Sequence, residues 1–479
     1  MKNLLSNKIT LLFILLIISI TTFAQKVVVA TDMNIVGDGQ TLNTKAIQKA
    51  IDYCHARKKG GCLVFPKGKY LTGTIVLKSN VTIKIEKDAY ILGSVNPYDY
   101  YSLEEVKGKD NSALALIVAS HANNINLVGE GIIDGNGREL ALNIDSLHHI
   151  GERVDQNYTE RLNRPNETMR PKLFFISNCE NILVEGLQLK NSACWGLSFD
   201  LCKNLTLKYL NLENRAYWNN DGIDVTDSKK VLISNCFINS ADDGICLKSY
   251  HVGSYNDDVK ISDCEIISSA SAVKFGTASW GGFKNIVVRN IKVKDTFRSA
   301  IAIECVDGGD VDNVLVENIH AENTGNALFI RLGHRYNEKP GTLKNVTIRN
   351  MYVDIPFGRP DVNYDMRGPS LSFFHNPIPS SITGIPGHYV ENVTLENIEV
   401  FAPGRASKGM AYIPSYKISQ IPENISKYPE FSMFGELPAY GIFVRHVKGL
   451  KMNNVQYKIK AHDFRPPYIF IDTIDIERN

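Results

Sequence analysis

Three aspartates form the part of the sequence best suited to chemistry. Asp221 lies in the motif Asn-Asn-Asp-Gly, and the adjacent pair Asp242 and Asp243 lies in the motif Ala-Asp-Asp-Gly. Carboxyl groups that approach one another raise one another's pKa, which is how one acid stays protonated beside ionised bases. Such a set can perform general acid–base catalysis. Each motif alone is also an ordinary turn sequence, because Asn, Asp and Gly dominate turns.

The two motifs occupy the same phase of a repeating pattern. Gly222 and Gly244 each begin a short stretch of alternating aliphatic residues, so Asp221 and Asp243 hold equivalent places in consecutive repeats. If consecutive repeats stack in register, their backbones lie about 4.8 Å apart. The three carboxylates would then crowd one patch. This shared phase favours an acidic catalytic cluster over simple turn chemistry.

A repeat of short strands would position this cluster. A polar residue, usually Asn, followed by alternating aliphatic residues recurs with starts at positions 181, 204, 230, 258, 285, 313, 345 and 392, and a second ladder of alternating residues lies between these starts. Short strands at this interval, without helices between them, are typical of stacked solenoids. We predict an all-β, single-stranded, right-handed parallel β-helix, in which the handedness follows the general preference of parallel connections.

The segment from Asn43 to Arg57 is the clearest predicted helix, with Ile47, Ala50, Ile51 and Cys54 on one face. We expect it to cap the N-terminal end of the solenoid, within a cap region of about residues 25–95. Residues 25–479 are predicted to form one β-helix catalytic domain, with insertions at about 138–171 and 355–440. Long loops on a solenoid either shape a binding groove or decorate the surface.

The first residues have the pattern of a targeting segment. A short basic start is followed by an apolar run over Ile9–Ile20 and then by Thr-Phe-Ala at 22–24. This pattern predicts a secretory signal peptide over residues 1–24, cleaved after Ala24, because the apolar run is shorter than the roughly 20 residues that a membrane span needs. We therefore expect a secreted or periplasmic protein.

Charge and cysteine usage narrow the class of protein further. The chain has 53 basic and 51 acidic residues, a balance that argues against nucleic-acid binding. Nine cysteines make an odd number, so at least one thiol stays unpaired within the chain. Cys54 and Cys62 flank a Gly-Gly turn and are the most plausible disulfide. Four further cysteines at matching repeat positions either bridge in pairs or stack as apolar thiols in the core, namely Cys179, Cys202, Cys236 and Cys264.

These motifs resemble those of the polygalacturonase-type pectin hydrolases, glycoside hydrolase family 28, which have a pectin-lyase-like solenoid. The family motif Asn-Thr-Asp-Gly-x-Asp is similar to residues 219–224, and Asp-Asp-Cys-x-x-x-Lys-Ser is similar to residues 242–249. The resemblance implies that Asp242 protonates the leaving oxygen, that Asp221 and Asp243 activate water, and that Lys248 contacts substrate. An inverting arrangement of this kind needs roughly 6.5 to 9.5 Å between acid and base.

Two departures from the family concern substrate binding. The histidine of the family motif Gly-His-Gly-x-Ser-x-Gly-Ser is missing from residues 270–277. The family motif Arg-x-Lys, which grips a galacturonate carboxylate, is replaced by Ala-Ile-Glu at 302–304, and Glu304 would repel such a group. Lys274 aligns with Ala302 one coil earlier, and Arg331 aligns with Glu304 one coil later. These two cations either restore acid recognition from displaced positions or pair with Glu304.

The signal peptide and the family resemblance together imply a secreted, inverting, polygalacturonase-like hydrolase of pectic polysaccharide or oligosaccharide. It cleaves either galacturonan or, given the altered binding residues, a rhamnogalacturonan-type or other modified linkage, and both endo-acting and exo-acting modes stay open. Trp218 and Trp280 are candidate platforms for sugar rings, although single aromatic residues more often serve packing. One alternative is a polysaccharide lyase on the same scaffold, which would use a basic residue and usually Ca²⁺. Another is a non-catalytic carbohydrate-binding solenoid. We expect no cofactor or metal, no membrane insertion after signal cleavage, and a monomer.

Overall fold

The computed structural model describes residues 26–103, 113–156, 158, 164–360, 378–411 and 418–479. Its 29 strands join in one continuous parallel arrangement that winds from Lys26 to Arg478, which confirms the predicted parallel β-helix. The predicted signal peptide lies outside the described residues. Within the part of the chain that the structure describes, no helix combines the length and apolarity that crossing a membrane requires.

The strands of the N-terminal coils are short. They are β1 (Lys26–Val29), β2 (Asp38–Leu42), β3 (Gly61–Phe65), β4 (Gly68–Thr72), β5 (Ile75–Val76), β6 (Val81–Ile85), β7 (Ala89–Gly93), β8 (Ala115–Ser120), β9 (Asn123–Gly129) and β10 (Ile132–Asp134).

The central coils hold the strands around the aspartate motifs. They are β11 (Lys172–Ser177), β12 (Glu180–Glu185), β13 (Gln188–Lys190), β14 (Leu197–Asp200), β15 (Lys203–Lys208), β16 (Asn211–Asn214), β17 (Ile223–Thr226), β18 (Lys229–Ser234), β19 (Phe237–Ser240), β20 (Ile245–Ser249), β21 (Asn256–Ser268) and β22 (Val273–Ser279).

The C-terminal coils contain longer strands that bend through more than one face of the solenoid. They are β23 (Gly282–Cys305), β24 (Asp310–Leu332), β25 (Thr342–Asp354), β26 (Ser380–Thr383), β27 (Val390–Ala402), β28 (Ile442–Ile459) and β29 (Tyr468–Arg478).

Three α-helices accompany the strands in the described part of the chain. Helix α1 (Thr44–His55) buries Ile47, Ala50, Ile51 and Cys54, as the apolar spacing predicted, and packs on β3 at the N-terminal end. Helix α2 (Gly137–His149) lies in the first insertion, where the polar sequence gave no clear helical signal. Helix α3 (Lys408–Ala411) is a single turn in the second insertion. Short 3-10 helices occupy Ala30–Met33, Pro97–Asp99 and Glu167–Met169.

One face of the solenoid positions the aspartates. Its strands stack in the order β14, β17, β20, β22 and β23, each hydrogen-bonded in parallel to the next. Inward-pointing aliphatic residues stack at one register position, and all of them are fully buried, namely Leu197, Ile223, Ile245, Val273 and Ile301. Burial of such a side chain contributes about 1.5 to 3 kcal/mol, and a one-residue slip would expose the whole stack, so the register is strongly specified.

The cysteines form no disulfides, and most of them are buried. All nine are free thiols, so the disulfide expected between Cys54 and Cys62 is not formed. The four cysteines at matching repeat positions are buried and belong to the main hydrophobic cluster, which confirms the alternative of stacked apolar thiols. Burial raises the pKa of Cys54 to about 11, because the interior disfavours a thiolate.

Candidate active site

The structure brings the three aspartates together. One carboxylate oxygen from each of Asp221, Asp242 and Asp243 lies within 4.8 Å of the others. Ile223 of β17 stands opposite Ile245 of β20, and the Asp243 carbonyl accepts a hydrogen bond of 2.9 Å from the Gly222 N–H. Asp221 and Asp243 therefore hold equivalent places in adjacent coils, as the phase of the repeat predicted.

The turn before Asp221 is held by buried polar side chains. Asn214 Nδ2 donates to the Asp221 carbonyl at 2.7 Å, and Asn220 Nδ2 donates to the Ser192 carbonyl at 2.9 Å. Arg170 Nη1 donates to the Trp218 carbonyl at 2.6 Å. Arg170 comes from the end of the first insertion, and the sequence contained no signal that pointed to this role.

The Asp242–Asp243 pair is fixed through its backbone. Ser240 Oγ and Ser268 Oγ donate to the Asp242 carbonyl at 2.7 and 2.6 Å. Asp242 Oδ1 accepts a hydrogen bond of 3.0 Å from the Asp243 N–H. These serines lie at the ends of β19 and β21, so the pair is anchored to two successive coils.

A buried lysine sits between Asp221 and a second acid. Lys248 Nζ lies 3.0 Å from Asp221 Oδ2 and 2.5 Å from Asp224 Oδ1. Burial alone would lower the pKa of Lys248, but the charges of Asp221 and Asp224 raise that pKa well above its usual value. Lys248 is therefore a fixed positive charge within the acidic cluster.

A second lysine holds Asp243. Lys274 Nζ lies 3.1 Å from Asp243 Oδ2 and 3.9 Å from Glu304 Oε2. Burial alone would raise the pKa of Asp243, but the charges of Lys274, Arg298 and Lys248 outweigh burial and bring that pKa below its usual value. Asp243 is thus ionised and suited to act as a base. The pKa of Glu304 shifts in the opposite direction, because burial raises it to about 7.

The aspartates open into a cavity of about 490 Å³. Trp280 and Tyr336 stack on each other along one wall, with ring centroids 5.5 Å apart and planes 8° from parallel. Tyr428 also lines the cavity, and its hydroxyl lies 3.4 Å from Lys274 Nζ. Arg335 is a further lining residue. The sequence motifs singled out neither tyrosine nor Arg335, because all three belong to irregular segments.

The residues predicted to bind substrate divide into two groups. Lys248, Lys274 and Trp280 line the cavity. Glu304 is buried beside Lys274 without lining the cavity, and it accepts a hydrogen bond of 2.9 Å from Thr277 Oγ1. Trp218 is half-buried with the Arg164 guanidinium stacked 4.2 Å above its ring.

Arg331 holds a loop of the second insertion. It aligns with Glu304 as predicted, but its guanidinium donates to the carbonyls of Gly384 and Glu423 at 2.8 Å and of Asn424 at 3.2 Å. Arg445 likewise donates to the Ile421 and Pro422 carbonyls at 2.9 Å. Lys274 and Arg331 were expected either to recognise a substrate acid or to pair with Glu304. Lys274 pairs with Glu304, whereas Arg331 anchors the segment that carries Tyr428.

Among the described residues, two groups of side chains have the composition of cation ligands. The first is the aspartate trio itself, in which two carboxylates are already bonded to lysines. The second is formed by Asp200, Asp227 and His251. In that group His251 Nε2 lies 2.9 Å from Asp200 Oδ1, and Asp227 accepts hydrogen bonds from the backbone of 250–251. This second group orders the loop after β20.

Comparison with known proteins agrees with the fold. A solved structure, the family 28 exopolygalacturonase of Yersinia enterocolitica, superposes with a TM-score of 0.69 at 18% identity over 95% of this chain and 79% of that one. The chain is 23% identical to an exo-poly-alpha-D-galacturonosidase of Dickeya chrysanthemi over 79% of its own length and 72% of that protein. It is 27% identical to a probable polygalacturonase of Vitis vinifera over 67% of its length, which spans only 59% of that protein.

The family model for glycosyl hydrolases family 28 matches residues 54–358. The matched segment includes all three aspartates, both cavity lysines and the stacked aromatic pair. The chain therefore belongs to glycosyl hydrolases family 28.

Proposed function

We propose that this protein hydrolyses glycosidic bonds in pectic polysaccharide or oligosaccharide. The observation that supports this most directly is the meeting of Asp221, Asp242 and Asp243 in one cavity, since paired carboxyl groups are what glycoside hydrolysis requires. Relatives named as an exo-poly-alpha-D-galacturonosidase and an endo-xylogalacturonan hydrolase support a pectic substrate.

We assign Asp242 as the general acid and Asp221 with Asp243 as the general base. The base accepts a proton from water while the water oxygen bonds to the anomeric carbon. The bond from that carbon to the leaving oxygen breaks, and Asp242 donates its proton to the leaving oxygen. The contacts of Lys248 with Asp221 and of Lys274 with Asp243 support the base role, because a nearby cation favours the ionised form of a carboxyl group.

The spacing of the carboxylates favours a second candidate for the stereochemistry. One oxygen of each aspartate lies within 4.8 Å of the others, so the carboxyl groups are neighbours. The two carboxyl groups of retaining enzymes are about 5 to 5.5 Å apart, closer than the about 6.5 to 9.5 Å usual for inverting enzymes. We propose inversion on the family resemblance and on the two lysine-bonded bases. Retention through direct attack by one carboxylate is the alternative.

The anomer of the first product tests this choice. Proton NMR during the first minutes of digestion of a galacturonan oligosaccharide should show the inverted anomer before it equilibrates in solution. The retained anomer would instead establish the covalent route. An unsaturated product absorbing in the near ultraviolet, lost on addition of EDTA, would replace hydrolysis with the lyase reaction.

The apolar leader at residues 1–24 supports export to the periplasm or the medium. N-terminal sequencing of protein recovered from those fractions should begin at Gln25. We further propose that the exported chain is a monomer, which light scattering of the purified protein tests.

A further inference from the structure

We infer that the cavity selects an uncharged sugar ring beside the three aspartates, and that Glu304 is the residue that disfavours a uronate carboxylate there. This inference rests on the proposed hydrolysis and names the class of substrate. It predicts a neutral sugar or an esterified uronate at the ring that contacts Lys274.

The cations of the cavity are already paired with protein carboxylates. Among the residues that the structure describes, three cationic side chains line the cavity, and they are Lys248, Lys274 and Arg335. Lys248 contacts two carboxylates, and Lys274 contacts two others. Arg335 Nε and Nη2 each donate to Asp307 at 2.8 Å in a bidentate pair. A uronate carboxylate would have to compete with one of these buried acids for its cation.

The acids of the cavity outnumber its cations. Four acidic side chains line it, and they are Glu167, Asp221, Asp242 and Asp243. Three more acids stand behind the lysines and Arg335, and they are Asp224, Glu304 and Asp307, each almost fully buried. Asp242 is neutral as the assigned proton donor, and the other six acids still outnumber the three cations. A carboxylate that enters loses its hydration and meets this excess of like charge, which costs more than its attraction to paired cations returns.

Glu304 is the residue that opposes binding of a uronate carboxylate at Lys274. Its side chain is 3% exposed and its Oε2 lies 3.9 Å from Lys274 Nζ, where it shares the ammonium with Asp243. Thr277 Oγ1 donates to the same oxygen at 2.9 Å. Glu304 therefore already supplies the carboxylate that Lys274 would otherwise take from the substrate.

The remaining walls suit an uncharged ring. Trp280 and Tyr336 form a stacked pair, and Tyr428 lines the same cavity near Lys274. Aromatic faces bind the apolar faces of sugars without requiring a charge on the ligand. A neutral sugar or an esterified galacturonate offers such a face and no carboxylate.

The test compares ligands that carry a free carboxylate with ligands in which that carboxylate is esterified or the sugar is neutral. Galacturonate oligosaccharides and their methyl esters share every ring and linkage, and oligosaccharides that alternate galacturonate with rhamnose supply the neutral-sugar case. At pH 8 we expect kcat/KM for the ester to exceed that for the free acid by at least about tenfold. An equal or reversed preference would overturn the inference. Higher kcat/KM on the alternating oligosaccharide than on the ester identifies the neutral sugar as the favoured ring.

The isosteric variant Glu304→Gln tests the assigned residue. It should raise kcat/KM for the free acid and reduce the ester-to-acid ratio at least about threefold, because one negative charge beside Lys274 is removed and Asp243 is then the one remaining carboxylate of the two that contact this lysine. A matched control is Glu317→Gln, whose carboxylate pairs with Arg349 on the outer surface. An unchanged ratio in Glu304→Gln, or the same change in the control, would remove Glu304 from this role.

The choice of pH 8 follows from the surroundings of Glu304. Its pKa is about 7, and the charged groups around it are Lys274, Asp243 and Glu430. It is therefore ionised at pH 8. Should wild-type protein hydrolyse no pectic ligand, the proposed function fails separately, and calorimetric binding of acid and ester to Asp242→Asn still decides the charge preference. Tighter binding of the acid, or no binding of either ligand, would overturn the inference.

Discussion

Lys274 Nζ lies 3.1 Å from Asp243 Oδ2, although the two residues are 31 positions apart in the chain. Both side chains are nearly buried, with exposures of 3% and 7%. The pair joins adjacent coils, since Asp243 precedes β20 and Lys274 lies in β22. In a buried site an ion pair is poor evidence for stability, but it strongly affects which protonation state a carboxyl group adopts. We therefore interpret Lys274 as the group that keeps Asp243 ionised.

Replacing Lys274 with Met should shift the pH profile. Without the ammonium, burial raises the pKa of Asp243, so the base becomes protonated at a higher pH than in the wild type. The acidic limb of kcat/KM against pH should move upward by about one unit or more. Lys292→Met, an exposed lysine on β23, is the control and should leave the limb in place. If the acidic limb of Lys274→Met lies at the same pH as in the wild type, Lys274 is not the group that keeps Asp243 ionised.

Asp242→Asn should abolish proton donation without disturbing the fold, because the main chain of Asp242 is held by two serine hydroxyls. We expect kcat on natural linkages to fall by about 10² to 10⁴. A substrate with a nitrophenyl leaving group needs little protonation and should lose far less rate. Asp258→Asn, whose side chain is 47% exposed, should behave as wild type. Equal losses on both substrates would argue against Asp242 as the acid.

Tyr428→Ala should weaken substrate binding more than stability. The residue is 55% exposed, so its removal should change the free energy of unfolding by no more than about 0.5 kcal/mol. Because its ring faces the cavity near Lys274, KM should rise about tenfold with a smaller change in kcat. Tyr209→Ala, at 58% exposure on another part of the solenoid, serves as the comparison. The loss of kcat alone would show that Tyr428 acts on the reaction step.

Glu304 should make the stability of the protein depend on pH. Its pKa is about 7 in the folded protein and 4.5 in a model peptide, so the folded state binds the proton more tightly. The resulting stabilisation is complete below pH 4.5 and is lost as the pH rises through 7. The difference in pKa corresponds to about 3 kcal/mol. Urea unfolding at pH 5 and pH 8 should show that Glu304→Gln gains stability relative to wild type at the higher pH. A difference that is the same at both pH values would contradict the raised pKa.

Much of the fold and the centre of the site could be predicted from the sequence. The alternation of apolar and polar residues predicted that Ile223 and Ile245 point inward in one stack, and the spacing of the repeats predicted the parallel coils. In such a stack two residues at the same phase become neighbours, so the meeting of Asp221 with Asp243 followed from counting. The helix at Thr44–His55 was equally visible, because its apolar face repeats at helical spacing.

Other features depended on contacts that counting does not reveal. The predicted bond between Cys54 and Cys62 is not formed, and four cysteines that could have bridged instead pack in the core. Arg331 was placed correctly beside Glu304 in register, yet its guanidinium binds carbonyls of a distant loop. A long side chain can reach several neighbours, and the one it binds depends on small differences in position. The spacing of residues in the sequence does not reveal those differences.

The sequence by itself determined the β-helix and the phase that gathers three carboxylates, because stacking turns a regular repeat into spatial proximity. The tertiary structure alone decided what surrounds them. It placed Arg170 under the Asp221 turn and Tyr428 beside Lys274, and it paired each cavity cation with an acid. The physical reason is that insertions lack the repeat, so their conformation depends on long-range contacts with coils far away in the chain.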